Sequence, residues 1–293
     1  MSGQYGLSKV GVDTGSLTTE EIRIIENAVI DAARPQLIAR RIFAPAPIAD
    51  IGVRTWRQYS ITDMGQAVID MDGLTDSGDR VVLAEKDVTV PMISKNFDLF
   101  FRDIASSRRY GTPLDVMSAR NAAIQCAEEE DKLCLTGEYT GWRAYGIQGL
   151  TTATGRQAVN GGDWSATAVT EVGAAIALLQ AYGFYGPYAA IMPSTFYGQL
   201  LALISNTGTL LLKVIQEMVD QVIVSDNLFA ADGDQDSVVV CQPGFDNFVL
   251  GIAQNPTTFM HQKADMNYRG KVWEVAVPYI KRPKAIVEIN TLT

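Results

Sequence analysis

The hydrophobic rhythm of the chain is helical at first, then alternating, then a mixture of the two. In LTTEEIRIIENAVIDAAR, Ile22, Ile25, Val29 and Ala32 or Ala33 recur at helical spacing behind a Thr18/Glu21 capping-box pair. A helix is expected there, ended by Pro35. IFAPAPIADIG follows, and its two closely spaced prolines forbid further helix. VRTWRQYSI and RVVLAEKDVTV read as strands, separated by TDMGQAVIDMDGLTDSGD, which is short of apolar residues and dense in turn formers. Two strands with so long a tip make a hairpin that cannot bury itself, since an isolated hairpin is marginal in water. Its apolar cover has to come from a third element or from a neighbouring molecule.

FDLFFRDIASSRRYG reads as a strand passing into a helix. The next helix is punctuated by Thr112 as N-cap, Pro113 at the first helical position, Asp115 in the first turn and Gly137 at the far end. About two dozen residues between those signals predict a rod of roughly 36 Å. Met117, Ile124 and Leu135 are its expected apolar anchors, and Ala119, Ala122, Ala123 and Ala127 would let another element approach closely. From Trp164 onward helices and strands alternate. SATAVTEVGAAIALLQAYGF, STFYGQLLALIS (capped by Ser194 or Thr195) and LLKVIQEM read as helices, and AAIMP, QVIVS, SVVVCQ and NFVLGIA as strands. GKVWEVAVPYIKRPKAIVEINTL predicts two alternating strands broken at Pro278 and Pro283. The fold class is α+β, with no internal repeat.

Composition narrows the function classes. With 47% hydrophobic and 19% charged residues over 293 positions, the chain is ordinary globular material, and no apolar run approaches bilayer length. The start, MSGQYGLSKVGVDTGS, lacks the charged-then-apolar layout of a secretory signal. Cys126, Cys134 and Cys241 form no CxxC pair, which favours a reducing compartment. A net charge of −9 argues against a general nucleic-acid surface, although Arg34, Arg40, Arg41, Arg54 and Arg57 form one basic group and Arg102, Arg108 and Arg109 another.

Candidate chemistry is sparse. Glu128, Glu129, Glu130 and Asp131 are consecutive, so they fan around a helix at about 100° each. They read as a solvated face or as partners for arginines. His261 is the only histidine, too few for a triad or an HExxH zinc site. DGDQD at 232–236 alternates aspartates like a calcium loop, but its glycine falls second instead of sixth, and Pro243 stands at the twelfth position. Nucleotide and hydrolase signatures such as GxxxxGK[ST], GxGxxG and GxSxG are missing. No catalytic residue, cofactor or metal is expected, and the chain does not read as an enzyme.

Four stretches resemble one family. EEEDKLCLTGEYTGWRAYGIQGL looks like the end of the spine helix in encapsulin-type shell proteins and its passage toward the next domain, with glycines at 137, 141, 146 and 149 as hinges. YGFYGPYAAIMPSTFYGQL, VIVSDNLFAADGDQDSVVVCQPGFDNFVLGIAQ and WEVAVPYIKRPKAIVEI follow the same family order. The resemblance covers about residues 18–292 and implies the Hong Kong ninety-seven-type capsid fold of tailed-virus capsid proteins and encapsulins. It implies an N-terminal arm and helix at 1–52, an extended E-loop hairpin at 53–92, and a P-domain at 93–146 and 256–293 with its spine helix at 112–136. The A-domain would span 147–255.

The function implied first is a major capsid protein whose hexamers or pentamers close into an icosahedral virion shell around DNA, without sequence-specific contact. Portal, scaffold or cement proteins would be partners, no membrane would be, and assembly would occur in the host cytoplasm. The alternative is an encapsulin nanocompartment shell enclosing a cargo enzyme. The Arg and Ala-Pro-Ile that encapsulins carry shortly before the first helix are missing here, APAPI occurring only after it. A scaffolding extension is missing too, so a viral shell would need a separate scaffold or none. Subunit contacts fall to Trp56, Arg57, Tyr59 and Lys86 on the hairpin and to Arg40 and Arg41. The arginine groups are expected inward or between subunits. Lys86 and Asn290 match the residue types some capsids of this fold cross-link, but no motif fixes that pairing, and Lys86 reads as a solvated lysine.

Overall fold

A computed structural model describes residues 17–61, 69, 71, 83–111, 113–137, 145–203, 209–229 and 236–290. The leader, most of the hairpin tip, Thr112, Gly141 and DGDQD except Asp236 lie outside them. Helix α1 (Thr19–Ala33) leads through a 3-10 turn (Ala39–Arg41) to β1 (Ala44–Pro47), β2 (Thr55–Ile61), β3 (Leu83–Thr89), β4 (Met92–Leu99), α2 (Phe101–Tyr110) and α3 (Met117–Leu135). Then come β5 (Gln157–Asn160), α4 (Trp164–Ala181), β6 (Ala189–Met192), α5 (Ser194–Gln199), α6 (Leu211–Met218), β7 (Gln221–Val224) and β8 (Val238–Cys241). Strands β9 (Phe248–Gln262), β10 (Tyr268–Ile280) and, after a 3-10 turn at Pro283–Ala285, β11 (Ile286–Asn290) close the chain.

The capping box forms: Thr18 Oγ1 accepts from Glu21 N at 3.3 Å, and Glu21 Oε2 accepts from Thr18 N at 2.8 Å. Arg108 on α2 grips the same carboxylate at 2.7 and 2.8 Å, and these bonds hold its pKa down at about 2. Ile25, Val29, Ala32 and Ala33 of α1 are buried with the alanine face of α3 and with Phe97 and Val272 of the sheet beneath. Helix α3 starts later than its punctuation suggests. Pro113–Val116 stay outside it, and Asp115 Oδ1 accepts from Met117 N at 2.9 Å, so Asp115 stands ahead of the first turn. Met117, expected as an anchor, is 59% exposed at that end.

A four-stranded sheet runs β1-β9-β10-β4 and a five-stranded sheet runs β5-β11-β8-β6-β7. The second sheet packs with α4, α5 and α6 around Trp164, whose indole N–H donates to Phe196 O at 3.2 Å. The expected domain boundary at 255/256 falls inside β9, and β11 pairs with β5 and β8 in the five-stranded sheet. Helix α5 spans six residues with Pro193, neither Ser194 nor Thr195, at its N-cap. Pro278 does not break the final strands. It lies within β10 opposite Leu250, beyond Val275, the last β10 residue paired with β4, so on that side the strand has no partner among the described residues to lose. Pro45 and Pro47 are tolerated on the edge strand β1 for the same reason.

Candidate functional site

Two neighbouring groups of side chains concentrate what is unusual in this molecule. The first is the base of the β2–β3 hairpin, a separate two-stranded sheet. Its register pairs Trp56 with Val88 and Gln58 with Lys86 on one face, and Arg57 with Asp87 and Tyr59 with Glu85 on the other. The first face docks on the chain's own body. Val88 is buried among Ile48, Ile147, Val277 and Tyr279, and the Trp56 ring meets Tyr279 edge-on at 6.5 Å. A Cβ on Gly251 would stand 2.6 Å from Trp56 Cζ3, so only glycine admits the indole there. Lys86 Nζ donates to Gln148 Oε1 at 3.3 Å.

Of the two covers expected for the ribbon, the chain itself supplies the one at the base, because Gly251 leaves a seat for Trp56. The opposite face stays open. Arg57 lies there at 3.0 Å from Asp87 and 3.3 Å from Glu85, beside exposed Tyr59. Farther out, Ile69 and Met71 are 100% and 98% exposed.

The second group lies at the junction of α3, β10 and the 3-10 turn. Arg40 makes a two-pronged bond to Glu130 at 2.7 and 2.6 Å, reaches Glu274 Oε2 at 3.4 Å, and donates to Asn255 Oδ1 at 3.1 Å. Asp131 accepts from Ile38 N at 3.1 Å and Ala39 N at 2.9 Å, tying the turn to α3. Glu130, Asp131 and Glu274 are all fully buried. Three buried carboxyls grouped near one guanidinium cannot all ionise cheaply. Burial, then the Glu130 charge and hydrogen bond, pushes the Glu274 carboxyl up to about 10, so it holds a proton at neutral pH. Burial also raises Asp131, to about 7, against the pull of its two backbone donors. Burial works against the Arg40 charge, but Glu130 and Glu274 outweigh it and leave the pKa raised.

The acid run is thus not a solvated face. Glu130 is an arginine partner, as one of the two readings expected, whereas Asp131 caps a backbone turn. Glu274 was missed, although a lone acid inside VWEVAVPYI was a usable signal, because β10 is sheltered on both faces.

The remaining candidates disperse. Arg41 is exposed with no ion-pair partner among the described residues. His261 is exposed on β9, and Cys126, Cys134 and Cys241 are buried free thiols. Burial raises all three, Cys126 and Cys241 to about 12, which makes them poor nucleophiles. Gly137 and Gly149 do not form an open joint. A Cβ on either would collide with the other's backbone nitrogen, and Thr152 bridges the crossing to Thr136 O at 2.7 Å. Beside the start of α2, Asp98, Asp103, Asp115 and Ser118 line a cavity of about 50 Å³. Small-molecule sites usually enclose about 300–1,000 Å³. Among the described residues, no three His, Cys, Asp or Glu side chains are grouped to hold a metal ion.

Residues 12–275 match a family described as "Encapsulating protein for peroxidase". The chain is 30% identical over 279 residues to the type 1 encapsulin shell protein EncA of Myxococcus xanthus (strain DK1622), covering 94% of this chain and 93% of that one. It is 28% identical to a diheme-cytochrome-encapsulin shell fusion protein of Kuenenia stuttgartiensis, across 94% of this chain and 74% of the other. In fold it is similar to the virus-like particle from Pyrococcus furiosus (TM-score 0.70, 18% identity, 93% and 99% coverage). The capsid of Myoviridae Phage XM1 is also similar (TM-score 0.61, 14% identity, 82% and 86% coverage). The α+β architecture is the Hong Kong ninety-seven-type capsid fold.

Proposed function

The chain belongs to the family of encapsulating proteins for peroxidase, and from that premise we propose that it is the shell subunit of an encapsulin nanocompartment. Many copies close into a hollow particle around a cargo enzyme, and the subunit's own role is structural. A viral capsid enclosing a genome was the first reading of the sequence and this compartment the second. The relatives aligned over most of this chain reverse that order, because they are named as encapsulin shell proteins. Portal proteins and packaged DNA have no part in the present reading, and the cytoplasm replaces the virion as its setting. No described helix is long and apolar enough to cross a membrane.

The observation that carries the reading is the ribbon: a separate two-stranded sheet, seated at its base through Trp56, with Ile69 and Met71 bare beyond it. Bare apolar side chains on a projecting arm call for cover from another molecule. In this proposal residues 53–92 are the E-loop and α3 is the spine helix. The four-stranded sheet with α1 and α3 forms the P-domain, and the five-stranded sheet with α4, α5 and α6 forms the A-domain. Arg57 and Tyr59 present the ribbon's open face to a neighbour and Arg41 adds an exposed cation, while Lys86 is held on the inner face by Gln148. Trp56 and Arg40 act within the subunit, holding the ribbon's base and the junction at fixed angles. Repetition around a closed symmetry turns weak contacts into a stable particle.

Negative-stain microscopy of the purified chain tests this, with mass spectrometry of what co-purifies. Closed hollow particles are expected, holding a protein cargo when the chain is produced with its genomic neighbours. A uniform monomer or dimer at high concentration overturns the proposal, and particles filled with DNA restore the viral reading.

A further inference from the structure

Three loops are laced together between β8, β10 and the end of α4. Gln242 links them, its side-chain amide donating to Gly186 O at 2.9 Å and its backbone N–H to Ala285 O at 3.1 Å. Lys281 N donates to Asn247 O at 2.8 Å. Tyr182, Tyr185 and Phe245 stand exposed on this frame, Tyr185 at 78%. Cations interleave with the rings. Lys281 Nζ lies 3.8 Å from the Phe245 centroid and Lys284 Nζ 4.9 Å from the Tyr182 centroid. Between them, Arg282 has an Nε that is buried without a hydrogen-bond partner among the described residues. Asp246 is the one acid in these loops, so Lys281, Arg282 and Lys284 make a positive, ring-faced patch on a chain of net charge −9.

The hairpin tip has the complementary chemistry. Residues 62–82 hold Asp63, Asp70, Asp72, Asp76 and Asp79 against the single Arg80. In the run Ile69-Asp70-Met71-Asp72, apolar and acidic side chains alternate, which would supply carboxylates to the cations and apolar contacts to the rings within four residues. Ile69 and Met71 are uncovered by any of the described residues. From the ends of β2 and β3 a tip of this length reaches up to about 30 Å. We infer that, in the assembled shell, the tip of one copy docks on the Tyr182, Tyr185, Phe245, Lys281, Arg282 and Lys284 patch of a neighbouring copy. This rests on the shell reading and adds the acceptor surface. A nucleic-acid strand is the less suitable occupant, because three cations on an acidic chain are few for a phosphate backbone, whereas the tip is present once for every patch.

The full chain tests it by charge exchange. Lys284→Glu alters an exposed side chain that makes no hydrogen bond among the described residues, and Asp70→Lys with Asp72→Lys alters the tip. Each change alone is expected to lower the particle fraction at moderate salt about five-fold, amplified by repetition in every copy. Combining them is expected to restore it. Carbodiimide treatment of wild-type particles followed by mass spectrometry is expected to join Lys281 or Lys284 to a tip aspartate. Unimpaired assembly of both variants, with no such cross-link, overturns the inference and leaves the shell reading standing. Impairment without rescue also overturns it, and loss of co-purified nucleic acid from the Lys284→Glu particle would reassign the patch. A wild-type chain that forms no particle removes the shell reading and this inference together.

Discussion

Arg40 and Arg57 each hold two acidic side chains, yet the two groups do opposite things. Arg40 joins Glu130 and Glu274, both fully buried, and clamps α3, β10 and the turn after α1 into one junction. Arg57 joins Asp87 and Glu85 on the open face of the ribbon, where all three side chains are about half exposed. Removing a partner from an enclosed pair strands a charge in low dielectric, while an exposed pair trades its attraction against hydration and is screened by salt. The difference suits a shell subunit: a stiff body, and an arm whose charges stay available to something outside it.

Arg40→Met should produce the largest effect, a loss of about 3 kcal/mol or more in denaturant unfolding, because buried carboxyls are left facing one another. An unchanged midpoint would mean the junction is not enclosed. Gly251→Ala is next, at about 1–3 kcal/mol, since its Cβ enters the Trp56 ring and the ribbon base has to shift. The same variant should change particle size or yield under the microscope, an effect that simple loss of stability would not reproduce at low temperature.

Glu274→Gln should work in the other direction. A carboxyl with a raised folded pKa is bound to a proton in the folded chain where the unfolded chain has already released it. Its contribution is therefore lost as pH rises from about 4.5 toward about 10. The amide cannot ionise and can still donate to Glu130, so the variant's melting temperature should fall less between pH 5 and 9 than the wild type's. A difference of about 2 °C corresponds to about 1 kcal/mol at this chain length. Identical pH profiles would show that Glu274 does not carry the proton. The smallest effect belongs to Arg57→Ala, for which no measurable shift in melting temperature is expected. A clear drop would place Arg57 in the folding energetics and erase the contrast with Arg40.

Much of the architecture was legible along the chain. The Thr18/Glu21 box, the helix ahead of Pro35, the two hairpin strands and the helices on both sides of AAIMP need only neighbours within a turn or a strand, and the pattern records those directly. Family order in the quoted stretches pointed to the capsid fold for the same reason. Less was legible at the site. Asp115 was read as lying inside α3, because an Asp can sit in a first turn or ahead of it. Four acids in a row looked like a helix surface, since their spacing says where they fan and nothing about what covers them. Gly251 carried no signal, as its requirement comes from a ring nearly two hundred positions earlier in the chain.

Local residue order settled where most helices and strands lie, which faces are apolar, and that a long-tipped hairpin needs cover from elsewhere. Which carboxyls are buried, which one holds a proton, and how far the ribbon is covered by its own body came from packing alone. Arg40 meets Glu130 across 90 positions and Glu274 across 234. Hydrogen bonds within a turn are encoded by adjacent residues, whereas desolvation depends on every atom the fold brings near, wherever it lies in the chain.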